Sequence, residues 1–173
     1  EAVSNIFEFA GSLRELDDEI GLLIVEALVG VSGRDGLPDG IKGALTRGGL
    51  DASIAIKAVA VLRSAEAVPL LAKLLPSASK EDLREIVSAL EAIGSSGSIE
   101  ALRCALKSND GHARKTAARA LGRLEGEYAA NDLFAALEKE VYRDVIEEIA
   151  DVLSIIPSEA VRSGFCRLLE SEN

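Results

Sequence analysis

The feature that most constrains this chain is a repeat. The segment Asp110 to Leu124 carries apolar residues at Ala113, Ala117, Ala118, Leu121 and Leu124, the spacing of one face of a helix. A step of 31 residues backwards reaches Asp82, Ile86, Val87, Leu90 and Ile93, and the same step forwards reaches Asp144, Glu148, Ile149, Val152 and Ile155. Earlier copies give Ile56, Val59 and Leu62, then Val25, Leu28 and Val31. A second series runs in the same step through Val68, Leu71 and Leu75, Ile99, Leu102 and Leu106, Ala130, Leu133 and Leu137, and Val161, Gly164 and Leu168. Counting back 62 residues from the head of that series adds Ile6, Phe9 and Leu13, while the copy near Leu37–Leu45 fits only with a shift of one residue. Two amphipathic helices per period make a helix pair. One pair has an apolar face that it cannot cover alone, and a near-copy stacked on it covers that face and extends the core.

Boundary signals divide the chain into helices at 2–13, 17–31, 38–47, 51–64, 66–75, 79–93, 98–107, 111–124, 128–139, 142–155 and 158–170. Pro69 sits in a first turn, where a missing N–H costs little. Gly94 stops one helix and Ser98 is expected to cap the next. Asn109-Asp110-Gly111 reads as a tight turn with a capping Asp, and Pro157 ends the helix before it. The glycine-rich stretch Gly33–Gly49 makes the poorest helix former and is expected to be the least stable repeat. The expectation is one all-α domain over residues 1–173, with about five helix pairs and a closing helix. The chain starts with Glu1, not Met, and reads as a fragment of a longer array, a processed product or a trimmed piece.

The segment D110-GHA-R114-KTA-A118-RA-L121-G-R-L124 resembles the HEAT-like repeats of the bilin-lyase type, with an Asp before the second helix, then an Arg, then Ala and Leu at helical spacing. The period resembles that family over essentially the whole chain. At the equivalents of Asp110 and Arg114 stand Ser79 and Leu83 one repeat back, and Val141 and Val145 one repeat on. The resemblance implies a right-handed α-α superhelix, a HEAT/armadillo-like solenoid, and a noncatalytic scaffold or adaptor that binds another protein or peptide on its concave face. The alternative it implies is an enzyme, or enzyme partner, of the bilin-lyase-like kind. Some HEAT-like proteins are metal-dependent hydroxylases that hold iron through repeated His-Glu pairs. His112 is the one histidine in this chain and is followed by Ala113, so a multi-histidine metal site cannot form within it. No cofactor is expected, and no metal.

Composition narrows the partner. The formal net charge is −10 and the pI about 4.7, a surface that repels phosphate backbones and anionic headgroups. Aromatics form 3% of residues and Trp is absent, so stacking platforms for single strands are missing. Nucleic acid and membrane are therefore not expected partners, and no apolar run is long enough to span a bilayer. Cys104 and Cys166 lie 62 residues apart, two repeats, which is about 16–20 Å through two layers of packed helices and beyond disulfide reach. They read as reduced thiols of a cytoplasmic protein. His112 pairs with no nucleophile at an informative spacing, and Gly94-Ser-Ser-Gly97 lacks the lysine of a phosphate loop.

Binding surfaces follow from what the second helices carry opposite the core. In the C-terminal half, Arg84, Lys115, Arg119 and Arg123 form a basic stripe, bounded by Glu147. It suits an acidic peptide, or else forms salt bridges between repeats, such as Arg119 with Glu148 or Asp151. In the N-terminal half the same face is apolar, with Leu22 and Leu23, then Ile54 and Val61 flanking Lys57. A helix that is apolar all round is normally buried. This face is expected to meet a protein partner, a second copy of the chain in a homodimer or upstream repeats, or else to be covered by the chain's own loops in a tightly curled solenoid.

Overall fold

The computed structural model describes residues 1–12, 18–32 and 36–171, and these are all-α. In chain order the helices are α1 Ala2–Ser12, α2 Asp18–Ser32, α3 Asp39–Arg47, α4 Gly49–Leu62, α5 Val68–Leu74, α6 Lys80–Ile93, α7 Ser96–Ala105, α8 Gly111–Glu125, α9 Ala130–Leu137, α10 Arg143–Ser154 and α11 Glu159–Ser171. Each falls on a helix that the period predicts. Single 3-10 turns, Ala65–Ala67 and Gly126–Ala129, lead into α5 and α9.

The chain forms two compact units, Glu1–Ser98 and Ile99–Asn173. In the first unit, α1 packs on α3 and α3 on α5, while α2 packs on α4 and α4 on α6. In the second, α8 packs on α10 and α9 on α11. Within each unit, then, a helix leans on its counterpart one repeat away, as burial of a repeated apolar face requires. Repeat positions supply most of the large, fully buried side chains: Leu28, Ile56, Leu71, Ile86 and Leu90 in the first unit, and Leu102, Leu121, Leu133 and Ile149 in the second, joined by Ile41, Leu45 and Leu153.

Local chemistry sets the helix starts. The Ser79 hydroxyl accepts the Asp82 N–H at 3.1 Å and caps α6. Asp110 does the same for α8, accepting the Ala113 N–H at 2.9 Å. For α7 the capping hydroxyl is that of Ser95, which accepts the Ser98 N–H at 3.2 Å. Ser98, expected in that role, is instead buried with its own hydroxyl 3.0 Å from that of Ser95. Between repeats, Ser53 of α4 donates to Asp82 of α6, 29 residues on. The same offset of 29 recurs from Arg103 to Asp132 and from Arg119 to Glu148.

The structure differs from the expected register in α1 and at the ends of α2, α8 and α10. α1 buries Val3, Phe7 and Ala10 rather than Ile6 and Phe9, and Phe9 is exposed. The cause lies on α3, where a Cβ at Gly40 would meet Val3 at 2.6 Å, so the glycine admits α1 along its Val3 edge. Leu13, placed in the same series, lies outside the described residues, as do residues 33–35 of the glycine-rich stretch. Ile155 is exposed rather than buried, because α10 stops at Ser154 and Ile156 takes the buried place. Val31 and Leu124, the last members of their series, also emerge at the final turns of α2 and α8. Cys104 and Cys166 are both exposed free thiols.

Candidate protein-docking surfaces

In the first unit the apolar surface centres on α2. Leu22 and Leu23 are 60% and 59% exposed, because α2 turns only Ile24, Val25 and Leu28 fully into the core. Leu23 lines a groove of about 480 Å³ between α1 and α2, walled by Ile6, Phe9, Ile20 and Ile24. Almost nothing polar faces it. On α4, Val61 and Lys57 are exposed as expected. Ile54 is not: it is 3% exposed and belongs to the core. The reason is that α4 packs against α1, α2, α3 and α6 together, so the face read as outward is covered from within the unit. Arg84 stands exposed on α6.

In the second unit the stripe residues fall on α8 and α10. Arg119 lays its guanidinium on Glu148, Nε to Oε1 at 2.9 Å and Nη2 to Oε2 at 2.7 Å, and the Lys115 ammonium stands 3.5 Å from the same carboxylate. Hydrogen bonding from Arg119, with the charges of Arg119 and Lys115, holds the Glu148 carboxyl below its ordinary pKa despite partial burial. Glu147 pairs with Arg143 one turn away at 2.8 Å, both side chains in water. Arg123 is exposed and, with Arg119, Gly122 and Ile155, borders a shallow hollow of about 330 Å³. Much of the basic stripe in this unit is thus engaged in ion pairs between repeats. His112 is exposed in the first turn of α8, and its ring makes no hydrogen bond to a described residue. Among the described residues no three His, Cys, Asp or Glu side chains converge to hold a metal ion, and no helix is long and apolar enough to cross a membrane.

A surface that the sequence reading did not pick out lies at the ends of the first helices. A groove of about 540 Å³ is lined by Arg103, Lys107, Arg114 and Lys139, with Asp132 and Glu140, over an aliphatic floor that includes Leu106 and Ala136. Its signal in the sequence is a repeat mismatch. Phe134 on α9 packs edge-on against Phe165 and fills the space beside Gly164 on α11. One repeat earlier the equivalent residue is Arg103, whose guanidinium turns to Asp132 at 2.8 Å and Glu125 at 2.7 Å.

A sequence profile of the family described as HEAT repeats matches residues 68–154, half of the chain. No curated protein matches the chain. With the helix pairs, their period and their in-order stacking within each unit, that match identifies the chain as a member of the HEAT-repeat family.

Proposed function

We propose that this chain is a noncatalytic protein-binding module, a scaffold or adaptor, that takes a segment of another protein on the faces of its second helices. HEAT repeats are commonly protein-interaction scaffolds, which supports the general class. The observation that carries the reading is the apolar pair Leu22 and Leu23, each about three-fifths exposed on α2 beside a groove with almost no polar lining. Water solvates such a surface poorly, and apolar patches of this kind mark contact sites. Val61 and Lys57, exposed on α4, belong to the proposed surface of the first unit; on the second unit, taken by itself, the candidate contacts are Lys115, Arg119, Arg123 and Glu147.

The test is capture from a lysate of the producing cells by the wild-type chain and by a Leu22→Asp, Leu23→Asp variant of equal helicity. A stoichiometric protein held by the first and lost by the second supports the proposal. Equal capture by both, or a retained small molecule in place of a protein, overturns it. Light scattering on the isolated chain identifies the case in which the partner is a second copy.

A further inference from the structure

We infer that the groove at the C-terminal ends of α7 and α9 is a docking site for a short acidic segment of another protein, one with an aliphatic side chain between its carboxylates. Four cationic residues and two carboxylates line it, and two more carboxylates, Glu100 and Glu125, pair with Arg103. The arginines are fixed in place. Arg103 donates Nε to Asp132, Nη1 to Glu100 and Nη2 to Glu125 at 2.8, 2.6 and 2.7 Å. Arg114 donates Nε and Nη2 to Glu140 at 2.7 and 2.8 Å and Nη1 to the Ser108 carbonyl at 2.7 Å. A guanidinium has five N–H donors, so each arginine keeps two without an acceptor among the described residues. The cationic charge open to a ligand is that of Lys107 and Lys139, both exposed and neither in an ion pair with a described residue.

Lysines at helix C-termini also complement the helix dipole, which accounts for two scattered lysines. It does not account for their sharing one groove with two guanidinium groups held in place by ion pairs and with an aliphatic floor. That combination matches a ligand that is anionic at its edges and apolar between them, and charge complementarity selects such a partner from others. The groove's volume of about 540 Å³ is within the range that seats a few side chains. The site is separate from the α2 surface and does not depend on it.

Fluorescence anisotropy with a fluorescein-labelled Asp-Glu-Leu-Leu-Glu-Asp peptide on the full chain tests this. Saturable one-to-one binding is expected, weakened about tenfold or more by Lys107→Glu with Lys139→Glu. The Asn-Gln-Leu-Leu-Gln-Asn peptide should not bind. Lys73→Glu with Lys80→Glu, which changes two exposed lysines elsewhere, and Leu22→Asp with Leu23→Asp should leave the affinity unchanged. No binding up to about 1 mM overturns the inference. So does equal affinity of the groove variant and the wild type, equal binding of the neutral peptide, or an equal response to a labelled single-stranded oligonucleotide.

Discussion

Arg114 and Glu140, 26 residues apart, meet through two parallel N–H···O bonds of 2.7 and 2.8 Å, with the Glu140 carboxylate 3% exposed. The pair ties the start of α8 to the segment that precedes α10. The same carboxylate accepts the N–H groups of Val141 and Tyr142, and the Tyr142 ring lies 5.5 Å from the Arg114 guanidinium. Removing one member of a buried pair strands the other's charge. Arg114→Ala should therefore lower the unfolding free energy by about 3 kcal/mol in urea titrations. Arg114→Lys should recover only part of it, because an ammonium cannot form the two-pronged contact.

The pair also predicts an acid limit. Hydrogen bonding from Arg114, together with the two backbone N–H groups, holds Glu140 at a pKa of about 2 against an ordinary 4.5, in spite of burial. A carboxyl whose pKa is depressed by folding stabilises the fold above the unfolded value and loses that contribution as pH falls towards the folded one. Wild type should exceed Glu140→Gln by about 3 kcal/mol at neutral pH. The gap should close between pH 4.5 and about 2, read by urea unfolding at stepped pH. A constant gap across that window would assign the difference to packing.

Gly164 occupies the repeat position held by Leu71, Leu102 and Leu133, yet a Cβ there would run into the Phe134 ring. Gly164→Leu restores the repeat pattern and should nonetheless destabilise, by about 2–3 kcal/mol from overpacking. Phe134→Ala opens a cavity and should cost about 3–5 kcal/mol. The double variant should cost less than the two added together, with a coupling of at least about 1 kcal/mol by thermal or urea unfolding.

Ile54 and Val61 share α4 but not an environment. Ile54→Asp buries a carboxylate among α4's neighbours and should abolish the cooperative unfolding of the first unit, a loss above about 4 kcal/mol. Val61→Asp, on an exposed side chain, should stay within about 0.5 kcal/mol of wild type. Circular dichroism through a urea series separates the two outcomes.

The period made the helices legible, because stacking demands that Ile86, Ala117 and Ile149 or their neighbours recur on one face. It left open which faces a third or fourth neighbour covers. Ile54 looked outward in the sequence because a two-layer repeat leaves one side of a second helix open, whereas α4 is packed by four helices, α1, α2, α3 and α6. The α1 register was lost at Gly40, where an absent side chain, invisible to an apolar pattern, decides how close two helices come. Leu22, Leu23, Lys57 and Val61 were legible as surface, and so was the Arg119–Glu148 contact between repeats. The groove with Lys107 and Lys139 was not, since those lysines lie beyond the ends of first helices and 32 residues apart, one out of step with the period.

Site-specific photocrosslinking tests the central claim, that the exposed apolar face of α2 is where a partner docks. A diazirine amino acid at position 23 should give one discrete protein adduct in the producing cells, while the same probe at Tyr128, another highly exposed position, should give none. No discrete adduct at position 23, or the same adducts at both positions, would contradict it.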